Sequence, residues 1–201
     1  MSSIRSVCVY CGSSPGRNGL YLEAGTTLGR AIADAGLRLV YGGGTKGIMG
    51  AVAAGAAERG GRIIGIIPRF LIRKEAGEHA PQALDEFVVV ENMHERKHRM
   101  FEESDAFVAL PGGVGTLEEI VEIMTWAQLG RHRKPIVFAN VAGFWNPMLA
   151  LIDHMRAEGF VHTGHLVQPI VVDDAAGIVP ALLAAAEPRP ADGDQAVIKK
   201  M

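Results

Sequence analysis

The chain has 201 residues, 48% of them hydrophobic, which is enough for one well-buried core and short for two independent domains. Its 20 basic and 22 acidic residues give a formal net charge of -2, so no polycationic surface is available for nucleic acid or an anionic membrane. No segment approaches the ~20 apolar residues of a membrane span, and the first apolar run is too short for a signal peptide. We therefore expect a cytoplasmic protein whose partner is a small molecule.

Apolar runs rich in Val and Ile alternate with helical patterns, which is typical of βαβ units and a parallel sheet. Most runs are continuous, as expected for strands that helices cover on both faces. The pattern predicts strands at 4–10, 37–41, 62–67, 87–90, 106–110, 135–139 and 170–172, and helices at 20–35, 48–59, 93–103, 117–129, 147–158 and 175–186. The expected fold is a single doubly wound α/β domain over residues 1–186, followed by a disordered tail at 187–201.

The first predicted strand and its end carry both cysteines of the chain. Cys8 and Cys11 have the C-x-x-C spacing of a redox dithiol or of half a zinc site. Residues an odd number apart on a strand point to opposite faces of the sheet, so we interpret both as small buried side chains.

Three loops of unusual composition follow the first, second and fifth predicted strands. Parallel strands point their carboxyl ends to one edge of the sheet, so these loops converge where ligands usually bind. They offer hydroxyls, small residues and free backbone N–H groups in the sequences Cys11-Gly-Ser-Ser-Pro15, Gly42-Gly-Gly-Thr-Lys-Gly-Ile-Met-Gly50 and Pro111-Gly-Gly-Val-Gly-Thr116. A few charge-assisted hydrogen bonds, each contributing roughly 1.5–3 kcal/mol, would hold a phosphate there.

The second of these loops also fits the dinucleotide motif G-x-G-x-x-G through Gly42, Gly44 and Gly47. A NAD site would need an acidic residue near the end of the following strand, but that strand ends at Ile67-Pro68-Arg69, which leaves only an NADP-like alternative. The loop also lacks the residue order of a nucleoside-triphosphate P-loop, so ATP hydrolysis is not expected. We predict no cofactor.

The segment from Arg69 to Glu86 interrupts the alternation of strands and helices and mixes apolar with charged residues. We interpret it as a mobile segment near the site. A plain surface loop is the alternative.

The predicted helix at 93–103 begins after Asn92, a favourable N-cap residue. At 100° per residue, Arg96 and Lys97 fall on the same side as Met93 and Met100. Solvated charges would occupy the opposite face, so we expect both cations to contact a ligand, with a snorkelling structural placement as the alternative.

The same helix contains His94-Glu-Arg-Lys-His98, which formally matches the H-E-x-x-H zinc motif, with Glu118 as a conceivable third ligand. Both histidines lie on the polar side of the helix, and a short charged helix in a parallel α/β sheet is poor context for such a zinc enzyme. We therefore expect no metal site.

The fifth predicted strand runs into a glycine turn, and the helix after it opens with two carboxylates. Gly112, Gly113 and Gly115 lack the Cβ atoms that would keep a ligand from the backbone, and the helix start adds partial positive charge. An anion is therefore expected there, within reach of Glu118 and Glu119. Adjacent helical residues diverge by 100°, so one of these two carboxylates faces the reacting centre.

The start of this helix also matches a capping box from Thr116 to Glu119. Further along, the helix has apolar residues on two sides: a stripe expected to face inward, and a second side that a dimer contact would cover. The expected stripe is Leu117, Ile120, Val121 and Met124, and the second side has Ile123 and Trp126. A homodimer is predicted.

Two motifs, P-G-G-x-G-T-x-x-E at 111–119 and M-H-x-R-K at 93–97, resemble those of the LOG (LONELY GUY) family of cytokinin riboside 5'-monophosphate phosphoribohydrolases. The likeness runs from about Val7 to Phe160. Members of that family are Rossmann-like homodimers, often mislabelled lysine decarboxylases. They release a free adenine-type base and ribose 5-phosphate from the nucleotide.

The resemblance implies that Arg96 and Glu119 are catalytic. It implies substrate binding by Lys97, Thr125 and the run Gly112, Gly113, Val114, Gly115, Thr116, Leu117 and Glu118, and by Glu75 through a looser match. The first two glycine-containing loops add Ser13, Ser14, Gly43 and Gly44 to the expected phosphate site.

Hydrolysis of an N-glycosidic bond places positive charge on the ribose ring, which a carboxylate stabilises. On this hypothesis the glycine loops hold the 5'-phosphate, Glu119 orients the ribose hydroxyls and the attacking water, and Arg96 offsets charge on the departing base. Arginine stays protonated, so the sequence offers no obvious general acid. The alternative is a non-catalytic carrier of a phosphorylated ligand such as molybdenum cofactor, which would not need Glu119 beside its anion loop.

Overall fold

The computed structural model of the chain describes residues 4–77, 84–161 and 169–186, and its centre is a seven-stranded sheet. All neighbouring strands are parallel, in the order β4-β3-β2-β1-β5-β6-β7. The strands are β1 (Ser6–Tyr10), β2 (Arg38–Tyr41), β3 (Ile63–Pro68), β4 (Glu86–Val90), β5 (Ala106–Ala109), β6 (Ile136–Ala139) and β7 (Ile170–Val172). Every predicted strand is confirmed, with ends within two residues of those expected.

The helices in the described ranges alternate with these strands. They are α1 (Leu20–Asp34), α2 (Gly47–Glu58), α3 (Met93–Glu102), α4 (Val114–Gln128), α5 (Asn146–Ala157) and α6 (Ile178–Ala186). Short helical turns occupy Arg69–Leu71, Ile72–Ala76 and Val141–Gly143. Within the described ranges, no helix combines the length and the apolarity that crossing a membrane would require. The predicted disordered tail lies outside the described residues.

The sheet separates two hydrophobic cores. On one face α1, α2 and α6 pack through residues such as Leu28, Val52 and Leu182. On the other face α3, α4 and α5 pack through residues such as Met100 and Ile123. The doubly wound arrangement is therefore confirmed, and it explains why the strands are apolar on both sides.

The two cysteines lie where the strand pattern predicted. Cys8 belongs to one core and Cys11 to the other, so their side chains lie on opposite faces of the sheet. Both are free and buried, and burial raises the pKa of both thiols, that of Cys8 to about 12. Neither thiol is therefore ionised near neutral pH.

The predicted capping box at Thr116 is wrong. Helix α4 begins three residues earlier than expected, with Gly113 as its N-cap and no side-chain cap. The backbone N–H of Leu117 already donates to the carbonyl of Gly113, at 3.0 Å, so Thr116 and Glu119 lie inside the helix. A glycine N-cap leaves no side-chain signature in the sequence, which is why the serine/threonine pattern was misleading.

The expected inward stripe of α4 is also wrong in part. The buried apolar residues are Ile120, Ile123, Met124 and Ala127, whereas Leu117 and Val121 are exposed. Helix α4 turns Thr116 and Glu119 inward, which rotates Leu117 and Val121 to the outside. Trp126 is half-buried and packs edge to face on Phe101, with ring centroids 4.9 Å apart.

The segment after β3 was predicted to be a mobile segment near the site, with a plain surface loop as the alternative. Its described part forms a 3₁₀ turn at Arg69–Leu71 followed by a single π-helical turn at Ile72–Ala76, and Leu71 and Glu75 line the cleft. Single π-helical turns are frequent at functional sites, because they place a side chain out of the ordinary helical register. Residues 78–83 of the segment lie outside the described ranges.

Candidate active site

A cleft of about 270 Å³ opens at the carboxyl edge of the sheet, where the strand order reverses between β1 and β5. Open α/β sheets place their ligands at this switch point. The loops after β1 and β5 contribute to its wall, as predicted, together with α2, α3, α4 and the turn at 69–76. The lining residues are Cys11, Gly12, Ser13, Met49, Leu71, Glu75, Met93, Arg96, Gly113, Gly115, Thr116 and Glu119.

Arg96 forms the floor of the cleft and is 5% exposed. Its Nε donates to the carbonyl of Ile66 at 3.2 Å, and its Nη2 donates to the carbonyl of Gly42 at 3.4 Å. Its Nη1 lies 3.7 Å from Oε1 of Glu119. A Cβ on Gly42 would come within 2.0 Å of Nη2, so the guanidinium fits only because this residue is glycine. Arg96 is therefore buried in the cleft and does not snorkel to the surface, while its contact with a ligand stays a prediction.

Asn92 caps α3, the helix that carries Arg96. Its side chain accepts a hydrogen bond from the backbone N–H of Glu95 at 2.9 Å, so the predicted N-cap is confirmed. Arg96 lies in the first turn after this cap, and it turns inward together with Met100. His94 and His98 lie on the exposed side of the same helix. In the described part of the chain, no three His, Cys, Asp or Glu side chains come together as a metal site.

Glu119 is the buried carboxyl group of the cleft, at 8% exposure. Loss of hydration raises its pKa from the ordinary 4.5 to about 7, while the neighbouring Arg96 guanidinium acts in the opposite direction. The charges of Glu118 and Glu75 raise the pKa further. Of the two adjacent glutamates at the helix start, Glu119 is thus the one that faces the cleft. Glu118 is exposed on the other side.

The start of α4 has the backbone features that the sequence led us to expect of an anion site. The first N–H groups of a helix have no intrahelical acceptor and carry partial positive charge. Here they belong to Val114, Gly115 and Thr116, beside the cleft. A Cβ on Gly112 would lie 2.2 Å from the Thr116 hydroxyl and 2.9 Å from the Gly12 nitrogen, so this turn can approach its neighbours only with glycine.

Main-chain hydrogen bonds join the loops at this edge. The Gly12 N–H donates to the carbonyl of Pro111 at 3.0 Å, and the Met49 N–H donates to the carbonyl of Gly12 at 3.2 Å. The loops after β1 and β5 and the start of α2 therefore form one unit around the cleft.

A second cleft of about 300 Å³ adjoins the first and shares Gly12, Ser13 and Gly113 with it. The predicted residues Ser14 and Gly112 lie in this second cleft. Its other wall is mostly apolar, formed by Tyr21, Ile48, Pro111 and Phe144. The structure thus divides the predicted phosphate-binding loops between two neighbouring clefts.

Several predicted binding residues lie away from both clefts in the described chain. The Lys97 ammonium contacts Glu118 at 2.5 Å and Glu122 at 3.1 Å, so it joins α3 to α4. The Thr125 hydroxyl donates to the carbonyl of Val121 on the exposed side of α4. The side chains of Val114 and Leu117 are also exposed on α4, although the Val114 N–H lies at the helix start. Gly43 and Gly44 are buried and line neither cleft.

Five lining residues were not among the predicted site residues: Cys11, Gly12, Met49, Leu71 and Met93. Met93 lies one turn before Arg96, and the helical period had placed both on one side, which was the available signal. Leu71 follows from no local pattern, because it reaches the cleft only through the fold of the segment after β3.

Comparison with known proteins identifies close relatives. A family model described as "Possible lysine decarboxylase" matches residues 49–182. A protein of Oryza sativa subsp. japonica named cytokinin riboside 5'-monophosphate phosphoribohydrolase LOG is 46% identical over 160 residues, covering 80% of this chain and 65% of its own length. A Rhodococcoides fascians protein named cytokinin riboside 5'-monophosphate phosphoribohydrolase is 45% identical over 179 residues, which is 89% of each chain.

Solved structures with lower identity share the fold. The molybdenum cofactor binding protein from Rippkaea orientalis superposes with a TM-score of 0.65 at 20% identity, covering 92% of this chain and 98% of its own. The Moco carrier protein from Chlamydomonas reinhardtii gives a TM-score of 0.67 at 23% identity, covering 90% and 96%. At these identities the likeness concerns the fold alone.

Proposed function

We propose a function for this chain on the basis of its family. The chain belongs to the LOG family of cytokinin riboside 5'-monophosphate phosphoribohydrolases. The proposed reaction is hydrolysis of the N-glycosidic bond of adenosine-type 5'-monophosphates, including those of cytokinins. Its products are the free base and ribose 5-phosphate. The observation that carries this proposal is the buried Arg96–Glu119 pair beside the open N-terminus of α4.

The proposed binding mode places the 5'-phosphate at the start of α4. Backbone N–H groups of the Gly113–Thr116 turn and the hydroxyl of Ser13 are the donors, and the partial positive charge of the helix start favours the phosphate charge. With the phosphate there, the ribose lies toward Arg96 and Glu119, whose carboxyl group is within the same cleft.

Glu119 is proposed as the proton donor to the departing base. As the bond between the anomeric carbon and the base nitrogen breaks, its electron pair goes to the nitrogen, which takes the proton of the carboxyl group. A carboxyl group with a pKa of about 7 is partly protonated at neutral pH, as a general acid requires. This role replaces the expectation that Glu119 orients water, because burial favours its neutral form.

Arg96 is proposed to fix Glu119 and to offset negative charge that develops on the base. Its hydrogen bonds to the carbonyls of Ile66 and Gly42, together with the neighbouring Glu119, hold the guanidinium at one place in the cleft. Since arginine does not give up its proton, its contribution is electrostatic.

The alternative function is that of a non-catalytic carrier of a phosphorylated ligand. It is supported only by the fold that this chain shares with the molybdenum cofactor carriers. A carrier gains nothing from a buried, partly protonated carboxyl group next to its anion site, because desolvating that group is costly. The buried Glu119 therefore favours the hydrolase.

We further propose a homodimer that covers the outer face of α4. Val114 is 82% exposed there, and Leu117 and Val121 continue the same apolar surface. The resemblance assigns substrate contacts to Val114, Leu117 and Thr125, all on this outer face, so a partner chain packed there would enclose them. Two free thiols, Cys8 and Cys11, support the proposed cytoplasmic location.

The decisive experiment incubates the purified full chain with AMP and, separately, with isopentenyladenosine 5'-monophosphate. Free base is quantified by chromatography and ribose 5-phosphate by a coupled assay. We expect equimolar release of both products, at least about 100-fold slower in Glu119→Gln. Glu58→Gln is the control, because this glutamate is exposed and pairs with Arg30 on α1. Tight nucleotide binding with no release of base would instead establish the carrier.

A further inference from the structure

We propose that Glu75 is a second catalytic carboxylate, which accepts a proton from the attacking water. This inference rests on the proposed hydrolysis and assigns the step that Glu119 leaves unfilled. Glu75 and Glu119 line the same cleft but come from different elements, the π-helical turn after β3 and helix α4.

The first observation is an unsatisfied oxygen. Oε2 of Glu75 is buried and has no hydrogen-bond partner among the described residues. A carboxylate oxygen that is kept from bulk water without a donor is costly, and such groups in native proteins are typical of functional sites. A hydroxyl or a water molecule that enters the cleft with the substrate is the donor this oxygen would accept.

The second observation is that the backbone of Glu75 is fixed. The carbonyl of Glu75 accepts hydrogen bonds from the Thr45 N–H at 2.9 Å and from the Thr45 hydroxyl at 3.3 Å. Next to it, the Lys46 ammonium donates to the carbonyl of Lys74 at 3.3 Å. The second glycine loop therefore holds the turn at its main chain and leaves the Glu75 side chain for the cleft. Thr45 is the positioning residue in this arrangement.

The third observation is the charge pattern of the cleft. Negative charge on Glu75 is one of the smaller causes that raise the pKa of Glu119, after loss of hydration and the charge of Glu118. In the proposed step Glu119 serves as the acid and Glu75 as the base, and both line the same cleft. Pairs of carboxyl groups in these two roles are the usual machinery of glycoside hydrolysis.

The water oxygen bonds to the anomeric carbon while Glu75 takes one of its protons. The bond from the anomeric carbon to the base breaks, and its electron pair takes the proton of Glu119. Ribose 5-phosphate and the neutral base leave. Transfer of the proton from Glu75 to solvent and from solvent to Glu119 restores the starting state.

The first test compares kcat and KM for AMP hydrolysis by wild type, Glu75→Gln and Glu86→Gln. Glu86 is an exposed glutamate at the start of β4 and serves as the control. We expect Glu75→Gln to lower kcat by about 100-fold or more, with KM changed by less than about 3-fold. Retention of more than a tenth of kcat, or a loss confined to KM, would overturn the inference.

A second measurement separates a catalytic carboxylate from a structural one. In Glu75→Ala, sodium azide needs no base to attack the anomeric carbon, so it should restore turnover by about 10-fold or more. The product should be ribosyl azide 5-phosphate, identified by its mass. Thermal unfolding of each variant checks that the fold is kept. A folded Glu75→Ala protein that azide does not rescue contradicts the proposed role.

Thr45→Val tests the positioning residue. This substitution removes the hydroxyl and keeps the backbone N–H, so we expect kcat to fall by about 3- to 10-fold. Because Thr45 acts through Glu75, the effect should vanish when Gln is already present at position 75. Thr26→Val is the control, since that hydroxyl also donates to a backbone carbonyl but lies in α1. Additive effects of Thr45→Val and Glu75→Gln would refute this part.

The outcomes distinguish the two proposals. If the wild-type protein releases no base, both the proposed hydrolysis and the proposed role of Glu75 are rejected. Wild type that turns over normally, together with an active Glu75→Gln, would reject the role of Glu75 alone.

Discussion

The protonation state of Glu119 changes with pH near neutrality. Its pKa is about 7 in the folded chain and near 4.5 when exposed, because burial disfavours the charged form. A folded-state pKa above the unfolded value stabilises the fold fully below pH 4.5, and this stabilisation is lost as pH rises through 7. The difference corresponds to about 3 kcal/mol.

We therefore predict that Glu119→Gln makes stability less dependent on pH. Between pH 4.5 and pH 8, wild type should lose about 3 kcal/mol more of its free energy of unfolding than the variant. Urea denaturation at both pH values measures this. Equal pH dependence in the two proteins would show that Glu119 is not buried as described.

The same carboxyl group should determine how the rate of hydrolysis depends on pH. If protonated Glu119 is the acid, kcat/KM for AMP should fall as pH rises through about 7. Initial rates of base release from pH 5 to 9 test this. A profile that is flat across pH 7 would rule out the proton-donor role while leaving the hydrolysis itself standing.

Gly42 limits the space available to Arg96. A Cβ there would lie 2.0 Å from Nη2, so we predict that Gly42→Ala displaces the guanidinium and lowers kcat by about 10-fold or more. Gly19→Ala is the matched control, because a Cβ at that position meets no atom within 4 Å and the backbone is already helical, with φ at -58°. Equal kcat in both variants would contradict the close contact.

At the scale of one helix, Arg96 lies in the first turn of α3, directly after the N-cap Asn92. Asn92→Ala removes the hydrogen bond to the Glu95 N–H, so we expect a loss of about 1 kcal/mol in unfolding free energy and a lower kcat. In Asn18→Ala the side-chain bond to the Leu20 N–H at the start of α1 is lost instead. That control should lose comparable stability and keep its kcat. An unchanged kcat in Asn92→Ala would argue that α3 does not need its cap to place Arg96.

The elements differed in how far the sequence predicted them. All seven strands followed from continuous apolar runs, because a strand buried on both faces can contain little else. Helix α4 was placed three residues late and rotated, because its N-cap is Gly113 and because two polar residues, Thr116 and Glu119, face inward. Pattern reasoning assumes that polar residues face solvent, so it fails where a site is built.

Part of the candidate site could be located from the sequence, while its full extent could not. Arg96 and Glu119 were identified from their motifs, and the structure brings them within 3.7 Å. Lys97 shared a motif with Arg96, yet its nearest partners are Glu118 and Glu122. Which of two adjacent residues faces a cleft depends on the rotation of a helix, and tertiary packing sets that rotation.

For the whole molecule, the outer face of α4 leads to a prediction about assembly. Val121→Asp places a charge in the apolar surface that we propose the partner covers, so the variant should sediment as a monomer at micromolar concentration, where we expect wild type to be a dimer. Leu151→Asp changes an apolar residue of similar exposure on α5 and should leave the proposed dimer intact. A monomeric wild type would reject the homodimer.

The glycine turns at the sheet edge are tied to one another through backbone atoms, Gly12 to Pro111 and Met49 to Gly12. Hydrogen bonds between main-chain atoms do not depend on the identity of the neighbouring side chains. In the proposed binding mode, a library that varies the lining residues Cys11, Met49, Leu71 and Met93 and keeps the glycines should therefore bind the 5'-phosphate as before and change its preference for the base. Main-chain contacts to the phosphate would then stay constant while the side chains around the base change, which would let the scaffold acquire new specificities.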